Sequence, residues 1–195
     1  KAWVWEHMAL SRGRIIAGDK NTKNKLNRIL IKVFDKNIFL QKEIKKQTKN
    51  MRLSLQNNYS KKFEPENIKY GRGGFQELEL LVQMGMLLMN IGYRKNNQSP
   101  KKLISCLFKV GFFDKEEYKN ITEIYELFFY YQQVSCIMFF ETDQKKILSS
   151  HGVGNLIKNL SKSVNYNKEM DLNDLNLLLK QKSQYIGKLF DRKLK

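Results

Sequence analysis

The sequence has 195 residues, of which 42% are hydrophobic and 12% aromatic, so it is long and apolar enough to bury a core and is not typical of a disordered chain. Only two prolines occur, Pro65 and Pro100, and with the many strong helix formers this favours an all-α fold. The formal net charge of +17 is compatible with nucleic-acid binding, because basic side chains neutralise phosphates.

The composition of the basic residues argues against a specific nucleic-acid partner. Most of the 36 basic residues are lysines, they are spread over the chain, and asparagine and isoleucine are abundant as well. An AT-rich genome produces this mixture through codon usage. We therefore predict a solvated lysine surface and treat nucleic-acid binding as unlikely.

Neither a membrane span nor a secretory signal is predicted. The longest apolar run, residues 78–89, contains Glu79 and Gln83 and is too short to cross a bilayer. Nothing at the N-terminus resembles a signal peptide. Cys106 and Cys136 lie in apolar helical patterns without CxxC spacing, which indicates reduced thiols rather than a disulfide or a metal site. These features predict a cytoplasmic protein with no membrane partner.

The first third of the chain reads as three helices. Apolar spacing predicts a helix over residues 2–17 that is stopped by Gly18-Asp19. Further helices fit residues 22–34 and 38–56, and the last of these has one solvent-exposed polar face and one apolar stripe. The chain also begins inside a helical pattern without a methionine, which indicates that part of a longer protein precedes it. The predicted stripe of the third helix consists of Leu40, Ile44, Met51 and Leu55.

A polar, glycine-rich loop separates these helices from an apolar one. Residues 57–74 contain Pro65 and end in Gly71-Arg72-Gly73-Gly74, where three glycines permit backbone angles that other residues resist. The helix that follows, Phe75 to about Ile91, is apolar on most of its circumference. We predict that it is the central helix.

Cap signals define the remaining helices. Ser99-Pro100 opens a short helix that runs to Val110, and Asp114 with Glu117 forms a capping-box pattern for a long helix. That helix should reach about Phe140, and its aromatic face is interpreted as core. The aromatic residues are Tyr125, Phe128, Phe129, Tyr131, Phe139 and Phe140.

The last helix begins at Asp171, with Asp174 at its third position. Met170 and Leu175 occupy hydrophobic-staple positions around this cap. Residues 143–170 are ambiguous, and no strand alternation or repeat is visible. The sequence therefore predicts an all-α helical bundle of about six to eight helices.

Two stretches resemble the glutamine synthetase adenylyltransferases. Residues 2–19 (AWVWEHMALSRGRIIAGD) are similar to that family's AWxWEHxALxRARxVAGD, with Gly13 in place of alanine. Residues 67–83 (NIKYGRGGFQELELLVQ) are similar to its DIKxGxGGxxDIEFxxQ, where Asn67, Glu77 and Leu80 depart from the pattern. The matching residues of the first are Trp3, Trp5, Glu6, His7, Ala9, Leu10, Arg12, Arg14, Ala17, Gly18 and Asp19, and of the second Ile68, Lys69, Gly71, Gly73, Gly74, Glu79 and Gln83.

This resemblance implies a bifunctional enzyme of nitrogen regulation. One unit transfers AMP from ATP to a tyrosine of glutamine synthetase, another removes it by phosphorolysis, and the PII signal protein controls both. The AWxWEH form and the chain's end after a last helix favour the AMP-adding unit. Residues 1–20 would then be a junction helix continuing from an upstream nucleotidyltransferase domain, and residues 21–195 a helical accessory domain.

The resemblance places the catalytic carboxylates, with their Mg²⁺ and ATP, in the domain upstream of Lys1. We therefore predict no catalytic residue and no metal ligand here, and no ATP or Mg²⁺ bound by this chain alone. The glycine-rich turn could present N–H groups to a phosphate, or it could pack tightly against the neighbouring domain. Lys69, Gly71, Gly73 and Gly74 are candidates for either role.

Four charged residues complete the candidate contacts. Glu77 and Glu79 diverge by about 200° on a helix, so helix-dipole pairing or a basic neighbour is favoured over a shared metal. Arg12 and Arg14 also project about 200° apart, and we predict a structural ion-pair cluster around the first helix, with Glu6 as a possible acidic member. His7 has no second ligand at zinc spacing.

Two rival functions remain open at this stage. One is a basic helical RNA-binding module, which lysines converging on one folded face would favour. The other is a protein-interaction domain without a nucleotide role. A large exposed apolar patch near Trp3 and Trp5 would favour either the adenylyltransferase interpretation or this last one.

Overall fold

The computed structural model describes residues 3–11, 13, 15–34, 39–59, 68–91, 99–139 and 171–195, with the backbone alone for 134–139 and 172. Within these ranges the chain forms seven α-helices and no β-strand, so the predicted all-α class is confirmed. The helices are α1 (Val4–Leu10), α2 (Lys20–Phe34), α3 (Gln41–Asn58), α4 (Phe75–Leu88), α5 (Pro100–Lys109), α6 (Lys115–Phe139) and α7 (Leu172–Leu194).

Helix α1 is shorter than predicted, and the prediction of one helix over residues 2–17 is wrong. The helix ends at Leu10, where the Ser11 hydroxyl donates back to the carbonyl of Met8 at 2.6 Å. The Gly13 amide then closes a turn on the Leu10 carbonyl at 2.9 Å. Gly13 therefore lies beyond the helix, so it does not weaken a helix interior.

Helix α2 begins two residues earlier than predicted because Asp19 caps it. One carboxylate oxygen of Asp19 accepts from the amides of Asn21 and Thr22 at 2.8 and 3.0 Å. The other accepts from the Thr22 hydroxyl at 2.6 Å. Asp19 thus satisfies amides that would otherwise lack a partner at the start of a helix. The sequence predicted that Gly18-Asp19 would end the first helix, but Asp19 instead caps the start of the next one.

Helix α3 buries a different stripe from the predicted one. Of the four predicted apolar positions only Ile44 is buried, whereas Leu40 precedes the helix and is exposed. The buried positions are Ile44, Thr48 and Arg52, spaced four residues apart. The Thr48 hydroxyl donates to the Ile44 carbonyl at 2.7 Å, which satisfies this polar group inside the protein.

The predicted caps of α5 and α6 are confirmed. The Ser99 side chain accepts from the backbone of Lys102 at 3.4 Å, and Pro100 occupies the first helical position. At α6 the Glu117 amide donates to Asp114 at 2.8 Å and the Asp114 amide donates to Glu117 at 3.0 Å. These bonds join residues three positions apart, so local sequence is enough to specify them.

The capping box of α7 is confirmed as well. The Asp174 amide donates to the Asp171 carboxylate at 2.8 Å, and the Asp171 amide donates to Asp174 at 3.4 Å. Leu175 is fully buried. Met170, its predicted staple partner, and the whole segment 143–170 lie outside the described residues.

The chain divides into two compact units, of which the first comprises Lys1–Arg52 and Glu79–Tyr118. In it, α1 packs on α2, and the His7 ring lies edge-on to Phe34 and Phe39 at centroid distances of 6.0 and 4.9 Å. Phe108 and Tyr118 stack at 4.6 Å between α5 and α6. The core of this unit includes Val4, Met8, Ile44, Leu81, Met84, Ile104, Leu107 and Phe113.

The second unit comprises Leu53–Leu78 and Lys119–Lys195. Its core includes Ile68, Leu78, Ile121, Ile124, Leu127, Leu175, Leu179, Ile186, Leu189 and Phe190. The aromatic face of α6 is confirmed as core at Tyr125, Phe128 and Tyr131 but wrong at Phe129, which is exposed and stacks on Tyr125 from outside. The side chain of Phe139, and Phe140, lie outside the described residues. Among the described helices, none combines the length and the apolar character needed to cross a bilayer.

Candidate functional site

The segment Ile68–Gly74, here called the glycine turn, leads directly into α4 in the second unit. Its carbonyl groups accept hydrogen bonds from the first amides of that helix. These bonds replace the intrahelical partners that the first turn of any helix lacks. They run from Gly74 to Gly71 at 2.8 Å, from Phe75 to Ile68 at 2.8 Å and from Gln76 to Lys69 at 3.0 Å.

Both glycines that close the turn are required by its geometry. Gly73 has φ +72°, and a Cβ there would lie 1.9 Å from the carbonyl oxygen of Ser183 on α7. A Cβ on Gly74 would lie 2.4 Å from the carbonyl oxygen of Ile68 and 2.8 Å from that of Gly71. The glycine-rich sequence predicted backbone angles that other residues resist, which Gly73 confirms, and neither position has room for a Cβ.

These contacts bear on whether the turn can cradle a phosphate. A helix N-terminus binds an anion through amides that point at the ligand. Here the amides of Gly74, Phe75 and Gln76 already donate to carbonyls of the turn, and the backbone of α7 lies against Gly73. The arrangement therefore fits close packing of a structural turn, with these three amides already engaged within the chain.

Lys69 and Tyr70 of the turn form an aromatic cluster with Tyr59. The rings of Tyr59 and Tyr70 stack with centroids 4.1 Å apart and planes 11° apart. The Lys69 ammonium lies 4.9 Å from the Tyr70 centroid, within the range of a cation–π interaction. Lys69 was a predicted site residue and the two tyrosines were not, because their stacking joins the end of α3 to the turn and depends on the fold.

Arg72 was not among the predicted site residues, and it ties the turn to the end of α7. Its guanidinium lies 3.2 Å from the Asp191 carboxylate, and both side chains are about half exposed. An ion pair at such exposure contributes between nothing and about 1 kcal/mol to stability. Only the fold brings Asp191 to the turn.

Glu77 lies at the third position of α4 and is almost completely buried. Its carboxylate accepts from the Gln56 side-chain amide at 2.7 Å, so α3 supplies one of its partners. Glu79 is half-buried and belongs to the other unit. Within the described part of the chain, no group of three His, Cys, Asp or Glu residues is placed to hold a metal ion.

Around α1 the structure shows backbone partners for Glu6 and His7. Glu6 accepts from the Trp3 amide at 2.6 Å and so closes the start of its own helix. His7 is buried, with Nδ1 3.2 Å from the Trp3 carbonyl oxygen. Arg12 and Arg14, proposed for the ion-pair cluster, lie outside the described residues, as does His151. Their roles remain predictions.

The two tryptophans lie on the surface of the first unit. Trp3 is 63% exposed and Trp5 is 51% exposed, and Leu10 on the same helix is exposed as well. Exposed tryptophans are costly in water and typical of surfaces that another protein covers.

Comparison with known families identifies a match to most of the chain. A family model described as GlnD PII-uridylyltransferase matches residues 39–191, well over half of the chain. The matched range contains the glycine turn, α3 to α6 and most of α7, whereas residues 2–19 lie before it. No solved structure matches the chain.

Proposed function

Because the chain belongs to the GlnD PII-uridylyltransferase family, and is thus a helical region of the nucleotidyltransferase-related type, we propose that it serves an enzyme that transfers AMP from ATP to a tyrosine of glutamine synthetase. The matched family is named for a related but different activity, the uridylylation of PII. The finer assignment is supported by residues 2–19, which resemble the adenylyltransferase junction and lie outside the matched range. The glycine turn supports the relationship, because its glycines are required where the resemblance places them.

The role that we propose for the chain is support rather than chemistry. The resemblance places the metal-bridging carboxylates in an upstream nucleotidyltransferase domain. The glycine turn positions the start of α4 through internal backbone bonds and packing on α7, so no step with Mg²⁺ or ATP is assigned to it. Its closed backbone would hold the helical region in one conformation beside the active site. Glutamine synthetase and PII would be the protein partners of the complete enzyme.

The donor nucleotide and the acceptor protein separate adenylylation from uridylylation. The complete enzyme that contains this chain should be incubated with Mg²⁺ and either labelled ATP or labelled UTP, each with glutamine synthetase or with PII. We expect AMP on glutamine synthetase, and loss of the label when the acceptor tyrosine is changed to phenylalanine. Label from UTP on PII, with none from ATP on glutamine synthetase, would overturn the adenylyltransferase assignment and leave the family membership intact.

A second incubation tests the supporting role. The chain of residues 1–195 alone, with ATP, Mg²⁺ and glutamine synthetase, should leave the synthetase unlabelled. The complete enzyme at the same molar concentration is the positive control. Transfer of AMP by the isolated chain would show that catalytic carboxylates lie within it, and the supporting role would be wrong.

A further inference from the structure

Helix α2 has an apolar stripe that the first unit does not bury. Leu26 is 43% exposed and Ile29 is 55% exposed, while Leu30 and Val33 are only half-buried. The residues of α2 that are buried are Asn27 and Phe34, which lie to one side of this stripe. The apolar side chains therefore extend past the packed face of the helix into the solvent.

The stripe has the spacing of a coiled-coil seam. Leu26, Ile29 and Val33 follow one another at intervals of three and four residues, which are the a, d and a positions of a heptad. Lys25 and Lys32 then occupy the two g positions beside the seam, and both are exposed. In coiled coils the residues at e and g choose the partner through their charges.

The charge of α2 is entirely of one sign. The helix carries Lys20, Lys23, Lys25, Arg28 and Lys32 and contains no acidic residue. A second copy of α2 could therefore form no ion pair across the seam, and its lysines would repel. An acidic partner would form favourable charge pairs with the same lysines.

The narrow width of the seam favours a helix, rather than a membrane surface, as the partner that binds it. Ile29, Val33 and Leu26 span about 60° of the helix circumference, and the half-buried Leu30 lies between them and the packed sector of Asn27 and Phe34. Membrane-surface helices insert a wide apolar face, whereas a narrow a/d stripe accommodates one helix. From these observations we propose that α2 docks an amphipathic helix of a partner protein, with apolar residues at the partner's a and d positions and glutamate or aspartate beside them. This interaction is independent of the proposed transfer reaction.

A designed peptide provides the probe. The isotope-labelled chain of residues 1–195 is titrated, with NMR detection, with a 21-residue helix that has leucine at a and d and glutamate at e and g. The same peptide with lysine at e and g is the control. We expect shifts confined to the seam of α2 with the acidic peptide and none with the basic one, and raised salt should weaken the binding.

Charge reversal supplies the matched variants. Lys25→Glu with Lys32→Glu should weaken binding of the acidic peptide by roughly tenfold, because two flanking pairs change from attraction to repulsion. It should also create binding to the basic peptide. Lys20→Glu with Arg28→Glu changes the net charge equally but lies off the seam, and should change the affinity by much less. Ile29→Lys should abolish binding, whereas Ile31→Lys, at an exposed position off the seam, should not.

The helix content of each variant is checked by circular dichroism before its binding is compared. Three outcomes overturn the proposal. One is the absence of any α2 shifts at millimolar acidic peptide. Another is an equal loss of affinity in both charge-reversal variants. In the third, the acidic peptide does not bind, but the chain binds vesicles of anionic phospholipid and Ile29→Lys abolishes that vesicle binding. This outcome would assign α2 to a membrane surface.

Discussion

A Cβ atom on Gly73 would lie 1.9 Å from the carbonyl oxygen of Ser183. The glycine turn and the backbone of α7 can therefore approach this closely only because residue 73 has no side chain. Ser183 is itself buried, and its hydroxyl donates to the Lys180 carbonyl at 3.0 Å. Because the contact is between two main chains, no change of rotamer can relieve an added Cβ. The second unit depends on glycine at this position.

Gly73→Ala should therefore destabilise the chain by roughly 2 to 5 kcal/mol, through positive φ and overpacking together. Gly111→Ala is the matched control, because Gly111 has φ +79° but no atom within 4 Å of its Cβ position. That variant should lose only the stability that the positive φ costs a residue with a side chain, about 1 to 2 kcal/mol. Urea unfolding measures both, and equal losses would contradict the contact with Ser183.

Gly74→Ala tests crowding without a positive φ. Its Cβ would meet the carbonyl oxygens of Ile68 and Gly71, and we expect a loss of about 1 to 3 kcal/mol. In the complete enzyme the variant should lose thermal stability before it loses affinity for ATP. The KM for ATP is measured well below the melting temperature. A raised KM in the folded variant would indicate a phosphate contact and contradict the structural role.

The bond between Gln56 and Glu77 should couple α3 to α4 energetically. Gln56→Leu removes a donor from a buried carboxylate and should cost about 1 to 3 kcal/mol. Glu77→Leu with Gln56→Leu should cost less than the sum of the two single changes, because each single change leaves one partner of this bond unsatisfied and the double change removes both partners. A double-mutant cycle in urea gives the coupling. Strict additivity would show that the bond contributes nothing.

The cap of α2 predicts a pH dependence. The Thr22 hydroxyl, followed by the Thr22 amide, holds the pKa of Asp19 below its ordinary value. A lowered pKa in the folded state means stabilisation that is present above the ordinary aspartate pKa and lost as the pH falls through the lowered one. Carboxyl NMR titration should show Thr22→Val raising the pKa of Asp19 toward its ordinary value. Asn21→Ala, which keeps its amide, should leave that pKa in place.

The exposure of both tryptophans predicts solvent-like fluorescence. The folded chain should emit near the wavelength of its urea-unfolded form and be quenched efficiently by acrylamide, because Trp3 and Trp5 are the only tryptophans. The single changes Trp3→Phe and Trp5→Phe assign the signal to each ring. Blue-shifted emission that resists acrylamide would show that the chain buries these rings by itself or by self-association.

Short-range features were predicted well from the sequence. The caps at Ser99, Asp114 and Asp171 were correct because each bond joins residues three positions apart. The need for glycine at Gly73 and Gly74 was visible because a polar loop must turn there into an apolar helix. The end of α1 at Leu10 was not, because the helical pattern continues in the sequence beyond that residue.

The sequence by itself determined the all-α class, the caps at Ser99, Asp114 and Asp171 and the presence of a glycine-rich turn before α4, because these depend on side chains and backbone angles within a few residues of chain. Only the tertiary structure decided which residues those features meet. Ser183 against Gly73, Gln56 at Glu77 and Asp191 at Arg72 are contacts between elements far apart in the chain. It also decided that α3 buries Thr48 and Arg52 and that α2 leaves Ile29 in water. Packing chooses which side of an amphipathic helix is covered, and helical spacing alone contains no information about what lies opposite.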